Sequence, residues 1–370
     1  MQLMKNWLQN IILVSVSVIF LLITLEYVVL QFFITATDVA RVEFKDDMIR
    51  YRHNQQGVTK LSNEFSAPFS INENGWNSHH KRYSIDKNNK TRVAVIGDSY
   101  IAALEPGYKN AIPFLLEQKL GSNKYEVYNF GIGGAHLAQY LHMFNKEVLK
   151  YEPSVIIFLI IHNDFSSSYQ KDLMASGRYG GTFLRLSIAE DGQVVEIPPR
   201  PYEPKWDKLL NFRFMRYIFY QYKLRTRISY IKSLVLNEQY KMNMDASMLT
   251  DNKDKDKILA NYVVSNIMKI ATERGIKILF AMNGDTQSIY QNATPDERSQ
   301  PNELNTMMKK TSEDHGAYFL DLHGNFHNEF TVNHKRFEFK TDGHWNPYGQ
   351  AIATEALVSK TTKILNAPPN

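Results

Sequence analysis

The chain alternates between short runs of consecutive apolar residues and longer stretches in which apolar residues recur every three or four positions. Val93-Ala94-Val95-Ile96 is the first such run, and it stops at Gly97-Asp98-Ser99. Ile112, Leu115, Leu116 and Leu120 then form a helical stripe ending at Gly121, and Tyr125 to Phe130 reads as a second strand that ends in Gly131-Ile132-Gly133-Gly134. His136 to Lys150 predicts a helix with Leu137, Tyr140, Leu141, Phe144 and Val148 on one face. A fully apolar strand follows from Val155 to Ile161, ending at His162-Asn163-Asp164. Continuous apolar strands alternating with amphipathic helices predict a parallel sheet covered on both faces.

The alternation breaks between 165 and 256, which reads as an insertion. It holds a predicted hairpin around Asp191-Gly192, a proline-rich stretch (Pro198, Pro199, Pro201, Pro204) and a basic, aromatic helix from Phe212 to Arg227. That helix suits either packing within the insertion, the preferred reading, or contact with a membrane. The alternation resumes with a helix face of Ile258, Tyr262, Val263, Ile267 and Ile270. After it come a strand from Ile276 to Met282, a helix over Asn302 to Asp314, a strand from Ala317 to Leu322 and a last helix after Pro347.

Residues 11–34 form an apolar run of about the length that crosses a bilayer as a helix, interrupted only by the charge of Glu26. The run is longer than a signal-peptide core, and Thr35 to Ala40 is a poor cleavage site, so an uncleaved anchor is expected. A slight positive bias places residues 1–10 in the cytoplasm and the remainder outside. Residues 35–90 read as a polar lead-in. The net charge of +5 is spread among acidic residues and gives no nucleic-acid stripe. The absence of cysteine excludes disulfides, thiolate metal sites and a cysteine nucleophile.

Four short blocks fall at predicted strand carboxyl ends: Gly97-Asp98-Ser99, Asn129 to Gly134, Asn163-Asp164, and Asp342-Gly343-His344-Trp345-Asn346-Pro347. Singly, each is an ordinary turn or capping sequence. Together they offer a hydroxyl, a base, a group to orient the base and donors for an oxyanion, which is what serine acyl transfer requires.

Their order and spacing resemble the SGNH hydrolases (the GDSL-like esterases), over about residues 92–364. The resemblance implies a flavodoxin-like three-layer α/β/α sandwich over 91–366 with a parallel sheet, preceded by the transmembrane helix. It assigns Ser99 as nucleophile, His344 as base and Asp342 as the carboxylate that orients it. It also assigns the Ser99 N–H, the Gly134 N–H and the Asn163 amide as oxyanion donors. Gly133 is a close competitor of Gly134, and Asp98 and Asp164 are supporting residues.

The chain departs from the commonest family pattern in three places. Asp342 stands two rather than three residues before His344, a form that resembles membrane-associated O-acetyl-transfer proteins of exopolysaccharide pathways. Ile161 stands where glycine is frequent, and Tyr100 replaces the leucine.

The expected activity is ester hydrolysis or acyl transfer on an acylated glycan outside the cytoplasmic membrane. The alternatives are a lipid esterase or thioesterase, or a non-catalytic glycan-binding or assembly subunit of an envelope complex. Nothing in the sequence indicates a cofactor or a metal. His323 and His327, four residues apart, lack a third ligand at suitable spacing, and His79, His80 and His136 read as surface or packing residues.

Overall fold

The computed structural model describes residues 2–169, 181–201, 207–236, 252–293 and 299–367. The chain divides into two compact units. One comprises Met1–Val39, Gly57–Ser66 and Glu203–Tyr240; the other comprises Ala40–Gln56, Ala67–Tyr202 and Lys241–Asn370.

In chain order the strands are β1 (Val42–Lys45), β2 (Met48–Tyr51), β3 (Gln55–Leu61), β4 (Phe65–Ile71), β5 (Thr91–Gly97) and β6 (Tyr125–Gly131). They continue with β7 (Val155–Ile160), β8 (Arg185–Ile188), β9 (Val194–Ile197), β10 (Lys277–Met282) and β11 (Tyr318–Asp321). Among the described residues the central sheet has five strands in the order β11-β10-β7-β5-β6, and every neighbouring pair is parallel. The chain winds outward from β5 to β6, then returns past β5 to β7, β10 and β11. The winding therefore reverses between β5 and β7, the point at which a doubly wound sheet opens a crevice at its carboxyl edge.

Strand β7 explains why the sheet is sandwiched. All six of its side chains, Val155 to Ile160, are fully buried, so both faces must be covered. On one face Ile96, Phe130, Phe158 and Phe280 join Leu141 and Phe144 of helix Leu137–Lys146, and Val263 and Ile267 of helix Lys253–Glu273. On the other, Val95, Ile157 and Leu159 join Leu116 of helix Ile112–Leu120 and Leu357 of helix Pro347–Asn366. This is the three-layer α/β/α arrangement. Each fully buried aliphatic side chain contributes about 1.5–3 kcal/mol.

Within residues 35–90, where polarity gave only turn material, the chain forms the antiparallel pair β1–β2 and the two-stranded sheet β3–β4, and buries Trp76 completely. β1 and β2 are four residues each, too short to show an alternation, and Asp46 and Asp47 turn the chain between them at φ +56° and +57°. The hairpin β8–β9 lies in the insertion. Pro204, and residues 170–180 and 237–251 of the same insertion, lie outside the described residues.

In the other unit, helix Gln2–Thr24 continues as a more widely wound stretch, Leu25–Phe33. Together they give one helix, Met4–Phe33, long and apolar enough to cross a membrane, with its side chains almost wholly exposed rather than packed in a core. Glu26 and Leu30 are the exceptions. Glu26 directs its two carboxylate oxygens to the backbone N–H groups of Arg213 (2.7 Å) and Phe214 (2.8 Å), from which they accept. The carboxylate thus takes up free N–H groups at the start of a helix, which have no partner within it. The single helix expected over 212–227 is instead broken. Arg213–Arg216 runs into the wide turn Tyr217–Gln221, and Lys223 at φ +51° interrupts the chain before helix Leu224–Leu236.

Candidate active site

Ser99 is held by a turn that leaves little freedom. β5 ends at Gly97, and Asp98 caps the four-residue helix Ser99–Ala102, its Oδ1 accepting the Tyr100 N–H at 2.9 Å. The helix lies directly on β6. A Cβ at Gly131 would fall 2.1 Å from the Ala102 nitrogen, so glycine is the residue that permits the approach. Asn129 fixes the same turn from the β6 side. Its Nδ2 donates to the carbonyls of Ile101 and Asn77, each at 2.8 Å, and its Oδ1 accepts the Gly131 N–H at 2.8 Å.

His344 arrives from 245 residues away on the turn before helix Pro347–Asn366. Asn346 caps that helix, its Oδ1 accepting the N–H groups of Tyr348 (2.9 Å) and Gly349 (3.1 Å). Gly343 at φ +83° turns the backbone sharply between Asp342 and His344, which lets two residues so close in sequence bring their side chains together. His344 Nδ1 is hydrogen-bonded to Asp342 Oδ1, and His344 Nε2 lies 2.7 Å from Ser99 Oγ. Asp98 Oδ2 is a more distant acceptor for the same hydroxyl, at 3.4 Å.

Tyr100, in place of leucine, ties the two blocks together. Its hydroxyl donates to the Gly343 carbonyl (3.0 Å), its own carbonyl accepts from Gln350 Nε2 (2.9 Å), and its ring packs edge-on against buried Trp345 at 4.8 Å.

The site carries more carboxylate than the sequence blocks foresaw. Burial opposes the charge on His344, but Glu105, Asp342 and Asp98 together outweigh it and raise the imidazole well above the usual histidine range. Glu105 follows the Ser99 helix on a loop, and no motif pointed to it. Behind Ser99 sits a buried acidic pair. Burial pushes Asp98 upward, and burial together with the Asp98 charge pushes Asp164 well above the ordinary carboxyl range. Asp164 Oδ2 accepts the Tyr140 hydroxyl (2.8 Å) and the Ile161 N–H (2.9 Å).

The remaining site residues line the same carboxyl edge. Gly133 is half-buried, and a Cβ there would lie 4.0 Å from the Ser99 Cβ. Its N–H donates to the Tyr51 hydroxyl (3.4 Å), a partner from the lead-in that the sequence did not single out. Gly134 is exposed and adjoins Phe183 of the insertion. Asn163 opens helix Asn163–Ser167 immediately beyond β7, with its Oδ1 buried. His162 packs inward with Nε2 2.9 Å from Asn305 Oδ1.

Side-chain ligand atoms of Glu105, Asp342 and His344 lie within 4.8 Å of one another. Both ring nitrogens of His344 are already engaged by Asp342 and Ser99, which suits a proton carrier rather than a metal ligand. His323 and His327 stack with ring centroids 6.0 Å apart, and His323 Nδ1 accepts the Asp285 N–H. His136 is buried against Phe183, and burial lowers its pKa to about 3. His79 and His80, expected as surface or packing residues, converge instead on Glu117, at 2.9 and 2.7 Å.

Residues 93–215 match the model of the GDSL-like lipase/acylhydrolase family. Among solved structures the chain is similar to an acetyl xylan esterase, at 16% identity over 73% of this chain and 98% of that one, with a TM-score of 0.42. It is also similar to the lipase/acylhydrolase from Enterococcus faecalis, at 13% identity over 76% and 98%, with a TM-score of 0.39. A catalytic mutant of an acetylxylan esterase from Geobacillus stearothermophilus aligns at 14% identity over 73% and 93%, with a TM-score of 0.40. No curated protein sequence matches the chain.

Proposed function

We propose, from the match of residues 93–215 to the GDSL-like lipase/acylhydrolase family, that this serine ester hydrolase acts on an O-acetylated glycan on the outer side of the cytoplasmic membrane. The observation that carries the catalytic part is the hydrogen-bonded series Ser99 Oγ, His344 and Asp342 at the reversal point of the sheet. Ser99 Oγ bonds to the ester carbonyl carbon while His344 Nε2 takes the hydroxyl proton. Asp342 holds the ring in the required tautomer, and Glu105 adds a second negative charge beside the imidazolium. The oxyanion rests against the N–H groups of Ser99 and Gly134 and the Asn163 amide; the Gly133 N–H is committed to Tyr51. When the carbon–alcohol bond breaks, His344 returns the proton to the leaving oxygen. Water or a sugar hydroxyl then attacks the acetyl-serine, with His344 again taking the proton, giving acetate or a transferred acetyl ester.

The membrane part rests on Met4–Phe33 acting as an uncleaved anchor with the amino terminus in the cytoplasm. Glu26 supports this, because a segment bonded to Arg213 and Phe214 is part of the folded chain rather than a leader to be removed. Ile228, Ile231 and Val235 are exposed at helical spacing on Leu224–Leu236, an apolar stripe that suits a position against the bilayer surface.

The test is acetate release from p-nitrophenyl acetate and from an O-acetylated polysaccharide by the full chain in detergent. Ser99→Ala and His344→Ala are expected to fall to background with both substrates. Turnover of the small ester but not of the polysaccharide would remove the glycan assignment. Retained turnover in Ser99→Ala would remove the acetyl-serine route.

A further inference from the structure

We propose that His79, His80 and Glu117 form a binding site for a divalent cation of the zinc class, separate from the serine chemistry. Consecutive residues ordinarily send their side chains apart, yet these two imidazoles lie with ring centroids 4.0 Å apart and aim both Nε2 atoms at one carboxylate. The three ligand atoms fall within 4.8 Å of one another. Four-coordinate Zn²⁺ with nitrogen and oxygen at about 2.0–2.2 Å sets its ligand atoms about 3.3 Å apart. His79 Nε2 lies 2.9 Å from Glu117 Oε1 and His80 Nε2 lies 2.7 Å from Glu117 Oε2, so the two imidazoles draw back by about 0.4–0.6 Å to admit the cation.

The surroundings have the character of a metal site. Glu117 comes from helix Ile112–Leu120, is buried, and has its Oε2 oriented by the Val127 N–H at 2.7 Å, an outer contact that holds a ligand in place. Phe114 packs edge-on against His79, and Tyr83 and Tyr128 against His80, enclosing the polar centre in an aromatic wall. Each imidazole remains about one-fifth exposed, which leaves a side open for a water ligand. Two imidazoles and one carboxylate suit zinc and its neighbours among the transition metals, and not Mg²⁺ or Ca²⁺, which take oxygen donors.

The cation would act as a clamp. The histidine loop is joined through Asn77, whose Nδ2 donates to the Ala102 carbonyl (2.8 Å) and whose carbonyl accepts from Asn129, to the short helix that starts at Ser99. Fastening that loop to helix Ile112–Leu120 would stiffen the support of the nucleophile from outside the site.

The full chain in detergent, stripped with a chelator, would be titrated calorimetrically with ZnCl₂, CoCl₂ and MgCl₂, with Co²⁺ absorption and melting temperature as separate readouts. The expected result is one equivalent of Zn²⁺ or Co²⁺, a visible four-coordinate Co²⁺ band, a higher melting temperature and no effect of Mg²⁺. His79→Ala and His80→Gln should each weaken binding at least about 100-fold, while the double variant His323→Ala/His327→Ala binds as wild type. Equal melting temperatures of wild type and His80→Gln in chelator establish that the variant is folded. Absence of uptake, uptake that survives both His79→Ala and His80→Gln, or uptake lost only in the His323/His327 variant would overturn the proposal.

Discussion

Two clusters in the same unit are built from histidine and carboxylate, and they invert each other's proportions. At the carboxyl edge a single imidazole, His344, is surrounded by Asp342, Glu105 and Asp98. At the other cluster a single carboxylate, Glu117, is surrounded by His79 and His80. Excess carboxylate stabilises the imidazolium, so the first cluster favours taking and holding a proton. Excess imidazole holds the carboxylate charged, at a pKa of about 2 where burial alone would raise it, so the second offers fixed lone pairs. His136 supplies the third case, an imidazole kept neutral by burial and, to a lesser extent, by the positive charge of Arg185. The same side chain thus meets three electrostatic settings, according to how many carboxylates the fold brings to it.

The severest way to break the catalytic cluster is Asp342→Asn. It keeps the shape but loses the acceptor that fixes the ring tautomer, and kcat for p-nitrophenyl acetate is expected to fall about 10⁴-fold. A loss of less than tenfold would mean that Glu105, and not Asp342, orients the ring.

Glu105→Gln sharpens the comparison further. The base must be neutral to act, and a raised pKa places the acidic limb of kcat/KM at high pH. Removing the Glu105 charge should move that limb about 1–3 units toward lower pH, the usual effect of one nearby charge. An unmoved pH profile would show that this carboxylate does not bear on the base.

Tyr100→Phe removes the hydroxyl bonded to Gly343 while keeping the ring against Trp345. Unfolding free energy in urea should drop by about 0.5–1.5 kcal/mol, with a several-fold loss of kcat and little change in KM. An unchanged kcat would make this contact irrelevant to the placement of His344.

His136→Gln is read in stability rather than in rate. The folded state holds His136 neutral down to about pH 3, while the unfolded chain takes up the proton below about 6.5. The unfolded state therefore binds more protons between those values, and stability contributed by neutral His136 is lost as pH falls through that window. Melting curves at pH 7 and pH 5 should differ less in the variant than in the wild type. An equal difference in both would contradict the burial argument.

Much of the candidate site was legible because its blocks are contiguous and most sit where an apolar run ends. Gly97-Asp98-Ser99 follows β5, Gly131 to Gly134 ends β6, and Asn163-Asp164 follows β7. The fully apolar Val155 to Ile160 announced a strand covered on both faces. The lead-in was less legible: its four-residue strands give no periodicity, and buried Trp76 stands alone among turn residues.

The sequence by itself determined the parallel α/β architecture, the apolar helix at the start and the identity of the serine, asparagine, aspartate and histidine blocks. These are local properties, set by which residues follow one another and at what period. Only the tertiary structure decided that Glu105 lies beside His344, that Tyr51 occupies the Gly133 N–H, that Glu26 meets the N–H groups of Arg213 and Phe214, and that His79 and His80 converge on Glu117. Charges and hydrogen bonds act over a few ångströms of space whatever the number of residues between them. Groups without a local motif therefore acquire partners only when the sheet and its helices close.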